Sequence, residues 1–275
     1  IHMNCDAKEN GKRLKNVVGQ TKVFLLDMDG TIYIENELIG DMRNTLEAVR
    51  RSGRRIVYFT NNSSKTVREY EEKLTRLGIF GQGDEVYTSG VAAAEYLNEF
   101  YAGKKVYLVG TDGLKGEFAE AGIPLADADG AEIGVLAYDT TLTFEKIVKL
   151  NRMIAEGKPY IATHPDAVCP AKGVFPPDVG SFIELFKCSS GRYPDVICGK
   201  PYTVMGDCIK RRLCLPPENI CMVGDRPHTD IRFANNNGFR SILVLSGETD
   251  AAHAAAAPDK AEAVAESLNE IAALL

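Results

Sequence analysis

Tryptophan is absent from the chain, and histidine is scarce, at four of 275 residues. Basic excess is missing too: 32 Lys and Arg face 38 Asp and Glu, for a net charge of -6. Nucleic-acid binders draw affinity from a basic face that neutralises phosphates, so no nucleic-acid partner is expected. No apolar run approaches the roughly 18 residues that span a bilayer, and no apolar signal segment opens the chain. The expectation is therefore no membrane partner and a cytoplasmic location. The opening Ile1-His2-Met3 looks like a cloning remnant, which puts the native start at Met3. The seven cysteines are odd in number and contain no Cys-x-x-Cys. That argues against a zinc cage or disulfide framework and for reduced thiols. No internal repeat is evident.

What remains is ordinary globular usage, 45% hydrophobic and 25% charged, over a length that suggests nearly two domains at about 150 residues each. The rhythm is strand then helix. Val23-Phe24-Leu25-Leu26 is a short apolar run ending in acid, the pattern of a buried parallel strand. Residues 41–52 carry Met42, Leu46 and Val49 at helical spacing, and Gly53 closes that helix. Ile56 to Phe59 is the next strand, and 66–77 the next helix. This βαβα unit predicts a parallel sheet covered by helices.

The rhythm returns late, with strands at 196–198, 220–223 and 241–245 and helices near 204–213 and 230–236. The stripe Ala263, Val264, Leu268, Ile271 and Leu275 predicts a closing helix over 260–275, preceded by an Ala-rich loop or helix lead-in at 251–257. The middle of the chain alternates as well and has apolar residues for its own core. The fold class expected is α/β: a Rossmann-like parallel-sheet core, 1–84 and 195–275, with a large inserted α/β cap domain at 85–194.

Polar clusters follow four of these strands. Asp27-Met28-Asp29-Gly30-Thr31 follows the first, Thr60-Asn61-Asn62-Ser63 the second, Gly199-Lys200-Pro201 the third, and Gly224-Asp225-Arg226-Pro227-His228-Thr229-Asp230 the fourth. Ligands of open α/β sheets bind at the carboxyl ends of the strands, where such clusters converge. An isolated Asp-x-Asp-Gly reads as a solvated turn, and an EF-hand fails because Leu38 stands where a Glu must close the loop.

The ordered set resembles the haloacid dehalogenase-like hydrolase superfamily, whose four motifs match Asp27/Asp29, Thr60, Lys200 and Asp225/Asp230. It is most similar to the NagD or 4-nitrophenylphosphatase-like branch, through Thr60-Asn61-Asn62-Ser63, the long insertion, Gly199-Lys200-Pro201, Val109-Gly110 with Gly113-Leu114, and Ala162-Thr163-His164-Pro165-Asp166. The branch commonly has Asn where His164 stands, which bears on substrate identity rather than reaction type.

The resemblance implies a Mg²⁺-dependent phosphatase acting on a small phosphorylated metabolite through an aspartyl-phosphate. Asp27, first after its strand, is read as the nucleophile, and Asp29 as the acid that protonates the leaving alkoxide and then deprotonates water. Hard oxygen donors without a His or Cys cage suit Mg²⁺. The family's pattern assigns it to the carboxylates of Asp27 and Asp225 and the backbone carbonyl of Asp29. Lys200 would neutralise the phosphoryl group, while the Thr60 hydroxyl and Asn61 backbone N–H bind its oxygens. Asp230 reads as a helix cap or a partner that orients Lys200. His164 and Asp178 are candidate specificity residues, although Asp178 reads equally well as a helix cap. His228 is as well explained as a variable loop residue, Gly110 and Gly113 as a strand-to-helix turn, and Cys198 and Cys221 as buried core.

Sugar phosphates, phosphoglycolate, nucleotides and 4-nitrophenyl phosphate all stay open as substrates. Two other functions also stay open: a phosphotransferase or phosphomutase with the same aspartyl chemistry, and a non-catalytic phospholigand-binding regulator. Pairing of two copies through the cap is a further expectation from the branch.

Overall fold

The structure, a computed structural model, describes residues 2–170 and 173–275. Along the chain it runs α1 (His2–Gln20), β1 (Val23–Leu26), β2 (Tyr33–Ile34), β3 (Glu37–Leu38), α2 (Met42–Arg51), β4 (Arg55–Thr60), α3 (Val67–Arg76), β5 (Glu85–Thr88) and α4 (Ser89–Phe100). There follow β6 (Val106–Val109), α5 (Asp112–Glu120), β7 (Ile133–Leu136), α6 (Phe144–Ala155), β8 (Tyr160–Ala162), α7 (Val179–Ser190) and β9 (Val196–Ile197). The chain ends on α8 (Thr203–Leu213), β10 (Ile220–Gly224), α9 (Arg232–Asn237), β11 (Arg240–Val244), α10 (Ala251–Ala256) and β12 (Ala263–Ala265). These elements form two compact units: Ile1–Thr60 with Glu71–Val86 and Ile209–Leu275, and Asn61–Tyr70 with Tyr87–Cys208.

The first unit is built on a six-stranded sheet in the order β12-β11-β10-β1-β4-β5. β1 lies at its centre, paired parallel to β10 on one side and β4 on the other. That position explains its unbroken apolar run: all four residues of β1 are buried, because a central parallel strand meets helices on both faces. Full burial of each such side chain contributes about 1.5–3 kcal/mol. α2 buries Met42, Thr45, Leu46 and Val49, the i, i+3, i+4, i+7 stripe of a helix lying on a sheet. Gly53 then leaves the helix at φ +78, a conformation that glycine adopts without steric cost.

The closing helix expected over 260–275 does not form. Ala263–Ala265 is instead strand β12, in parallel register with Ile242, Leu243 and Val244, and a 3₁₀ helix covers Leu268–Leu274. The burial pattern of β12 alternates, with Ala263 and Ala265 inside. Its apolar spacing satisfied both periods, and the open edge of β11 decided between them. The edge is then protected by α1, a helix without a sequence-based expectation: Asn10 Nδ2 donates to Val264 O at 2.7 Å and Asn10 Oδ1 accepts from Val264 N–H at 3.0 Å. One amide side chain thus occupies both outward groups of an edge residue.

The second unit carries a four-stranded parallel sheet, β6-β7-β8-β9. Its helices start on good caps: Thr88, Thr111, Thr143 and Asp178 each accept a hydrogen bond from a backbone N–H of the first turn. Just past β7, Asp139 is buried and receives Lys146 Nζ at 2.7 Å together with the Thr141 N–H and hydroxyl. Burial pushes this carboxyl up, but the hydrogen bonds from Lys146 and Thr141 outweigh it and hold the group below the ordinary range. Its contribution to stability is therefore present above the ordinary carboxylate range and lost as pH falls through the lowered value. Lys146→Met should leave the buried carboxylate uncompensated and destabilise the chain by about 3 kcal/mol. A urea midpoint unchanged from the parent would show that solvent, not Lys146, carries that charge.

Among the described residues no helix is long and apolar enough to cross a membrane.

Candidate active site

An acidic cluster lies in the first unit, at the carboxyl ends of adjacent parallel strands. β1 delivers Asp27 and β10 delivers Asp225, each as the residue that follows the strand. The Asp27 N–H still donates to Val223 O at 2.9 Å, so the sheet ladder fixes its backbone. Beyond it the chain turns tightly: Met28 O accepts from Ile32 N–H at 2.8 Å, and Gly30 N–H donates to Tyr33 O at 2.8 Å. Gly30 has φ +84, and a Cβ there would lie 2.5 Å from Asp225 Oδ2. The glycine of the motif thus serves both the turn and the close approach of a second acid. Asp27 is buried while Asp29 is exposed.

Oxygens of Asp27, Asp225 and Asp230 lie within 4.8 Å of one another, and all three residues are buried. Asp225 Oδ2 accepts from Glu248 N–H at 2.7 Å, whereas Asp225 Oδ1 has no hydrogen-bond partner. Burial, then the neighbouring Asp230, pushes the Asp225 carboxyl up to about 6. Gathering buried carboxylates costs free energy unless a cation joins them. An orphan buried oxygen amid hard oxygen donors is what a divalent ion such as Mg²⁺ or Ca²⁺ takes. The residues present fit that group.

Asp230 is placed by a π-helical turn, Pro227–Ile231, rather than at the first residue of a helix. Its Oδ2 accepts from Arg226 N–H at 3.1 Å, so the carboxylate folds back on the start of its own turn. Gly224 makes room for it, since a Cβ at 224 would lie 2.3 Å from Asp230 Cγ. His228, on the same turn, is exposed.

A fifth polar cluster approaches the Asp225 carboxylate. Ser246-Gly247-Glu248 follows β11, and a Cβ at Gly247 would fall 1.9 Å from Asp225 Oδ2. Ser246 Oγ donates to Gly30 O at 2.7 Å. Like the other four, this cluster is a polar run that follows an apolar strand.

Thr60 is the last residue of β4 and is buried. Asn61, next in the chain, belongs to the second unit. Its side chain brackets the backbone of Lys200, donating to Lys200 O at 2.9 Å and accepting from Lys200 N–H at 2.8 Å. Lys200 itself is fully buried. Gly199 permits the approach: a Cβ there would meet Asn61 Oδ1 at 2.6 Å and His164 Cβ at 2.8 Å. His164 and Asp178 are both buried, and Asp178 is the N-cap of α7, accepting from Val179 N–H at 2.6 Å. At Gly110 and Gly113, Cβ atoms would crowd Leu114 and Thr66, so packing at the β6–α5 turn accounts for both glycines.

Comparison with known proteins identifies the family. Residues 24–124 match the family described as haloacid dehalogenase-like hydrolase, and 197–271 match an HAD-hydrolase-like family. An acid sugar phosphatase of Staphylococcus haemolyticus is 32% identical over 228 residues, 83% of this chain and 86% of that protein. The crystal structure of a 4-nitrophenylphosphatase from Thermotoga maritima superposes with a TM-score of 0.89 at 38% identity, covering 94% of this chain and 98% of that one. A glycerol phosphate phosphatase from Mycobacterium tuberculosis, solved in complex with magnesium, gives a TM-score of 0.84 at 28% identity, over 92% and 77% of the two chains. The chain belongs to the haloacid dehalogenase-like hydrolase family, in its NagD or 4-nitrophenylphosphatase-like branch, and is a phosphatase.

Proposed function

We propose that the chain hydrolyses small phosphate monoesters with Mg²⁺ through an aspartyl-phosphate on Asp27. The observation that carries this reading is the buried trio Asp27, Asp225 and Asp230 with its unpartnered Asp225 Oδ1. The carboxylates of Asp27 and Asp225 and the carbonyl of Asp29 would hold Mg²⁺, which would supply positive charge where an anionic nucleophile meets an anionic ester. Asp230, engaged by Arg226 N–H, holds its neighbours in place.

An Asp27 carboxylate oxygen attacks phosphorus, and the bond from phosphorus to the alcohol oxygen breaks. Asp29 gives its proton to the departing alkoxide. Water then attacks the same phosphorus, Asp29 takes a proton from that water, and the bond to Asp27 breaks to release inorganic phosphate. Lys200, with the Thr60 hydroxyl and the Asn61 N–H, holds the phosphoryl oxygens as charge builds on them. The inserted segment is assigned the choice of leaving group. A reducing, cytosolic setting suits the thiols: burial raises both Cys198 and Cys221, which keeps them unreactive.

The test is release of 4-nitrophenol and inorganic phosphate from 4-nitrophenyl phosphate, with Mg²⁺ and with glycerol as competing acceptor. Equal amounts of the two products are expected. A phosphate deficit matched by glycerol phosphate would make the chain a phosphotransferase, and no release from any of a panel of monoesters would remove the reading.

A further inference from the structure

His164 follows β8 and Thr163, and its side chain is 0% exposed. Nδ1 lies 3.8 Å from Asp166 Oδ2 and Nε2 lies 3.5 Å from Asp178 Oδ1. Neither nitrogen makes a hydrogen bond. Packing does not explain such a ring, because an apolar side chain would fill the space without burying two unsatisfied polar atoms. Its placement between two carboxylates points to an electrostatic task.

The backbone segments that carry the two carboxylates are bonded to each other. Gly180 N–H donates to Asp166 O at 2.7 Å, Asp178 N–H to Ala167 O at 2.9 Å, and Ser181 Oγ to Ala167 O at 2.6 Å. A Cβ on Gly180 would lie 2.2 Å from Pro165 O, so these strands of chain touch backbone to backbone. Asp166 reaches further. Asn61 Nδ2 donates to both of its oxygens at 3.2 Å, and this is the amide that brackets the Lys200 backbone.

We infer that His164 is a positioning residue for Lys200: the ring, held between Asp178 and Asp166, sets the Asp166 carboxylate, which orients the Asn61 amide and so fixes the Lys200 backbone. The inference rests on the reading that Lys200 binds the transferring phosphoryl group. It separates His164 from a specificity contact. A positioning residue acts through the phosphoryl group that every substrate shares, whereas a substrate contact acts through the leaving group, which differs.

The experiment is steady-state kinetics of the full chain with Mg²⁺ and three monoesters: 4-nitrophenyl phosphate, glycerol phosphate and a sugar phosphate. His164→Ala should lower kcat/KM by about 10- to 100-fold, by the same factor for all three, and weaken inhibition by inorganic phosphate. His164→Asn places an amide nitrogen near the Nδ1 position that faces Asp166, and should recover much of the loss. His164→Gln reaches the Nε2 position that faces Asp178, and should recover less. Combining His164→Ala with Asn61→Ala should cost less than the product of the separate losses, since both break one chain of contacts.

A loss that varies with the leaving group overturns the inference in favour of substrate contact. Parent-like kinetics in His164→Ala overturn it in favour of packing. Should His164→Ala not fold, the order of the Asn and Gln variants decides: equal activities overturn it. Parent activity on monoesters with unaffected variants removes this inference alone, while an inactive parent removes the functional reading and this inference with it.

Discussion

Asp27→Asn is expected to lower turnover of 4-nitrophenyl phosphate by at least about 10⁴-fold while the chain stays folded. The amide keeps the size and planarity of the carboxylate, and the backbone is untouched because Asp27 N–H is bonded to Val223 O. What is lost is the anionic oxygen that would form the bond to phosphorus. Stability should move the other way. Asp27 shares a buried cluster with Asp225 and Asp230, so removing one negative charge relieves repulsion in the cation-free chain. Rapid quench in acid should trap phosphate on the parent chain and none on the variant. A variant that retains the acid-stable adduct, or parent turnover, would assign the nucleophile elsewhere.

Loss of the divalent cation is the second large effect. Chelation should abolish turnover and Mg²⁺ should restore it. Mg²⁺ at about 100 times its dissociation constant should also stabilise the fold by about 2.7 kcal/mol. The pH dependence follows from Asp225, whose carboxyl is raised to about 6 from an ordinary 3.8 by burial and then by Asp230. Without cation, the folded chain holds its proton more tightly than the unfolded chain does. That part of stability is present below the ordinary value and lost as pH rises through about 6. With cation the sign reverses, because ion and proton compete for the same oxygen. The increment in Tm from Mg²⁺ should therefore be large at pH 8 and small at pH 5. Asp225→Asn should erase both the increment and its pH dependence. An equal increment at the two pH values would place the ion away from Asp225.

Much of this architecture is legible in the chain. The runs that became β1, β4, β10 and β11 are short, apolar and ended by polar clusters, and each element lies within a residue or two of its expectation. Strong local patterns survive because central parallel strands need continuous apolar residues and their ends do not. Failures fall where local pattern is ambiguous. Ala263–Ala265 joined a sheet edge rather than a helix, and β5 contributes the opposite edge with only four residues to announce it. α1 carries a weak sequence pattern because its polar face dominates, although Leu14, Val17 and Val18 are buried.

The candidate site divides in the same way. Asp27, Asp29, Thr60, Lys200, Asp225 and Asp230 stand out by residue type and by position after a strand, and both are properties of the chain. Which of them meet, and what makes room for the meeting, are not. Gly247 and Gly224 earn their places only through an Asp oxygen or carbon that a Cβ would displace. The pairing of Asn61 with the Lys200 backbone spans 139 positions. His164 between Asp166 and Asp178 likewise exists only once the loop after β8 has docked on the start of α7. Periodicity and turn chemistry act within a few residues, and so can be read in order along a chain. Steric room and charge depend on atoms far apart in sequence, and are set only when the strands have come together.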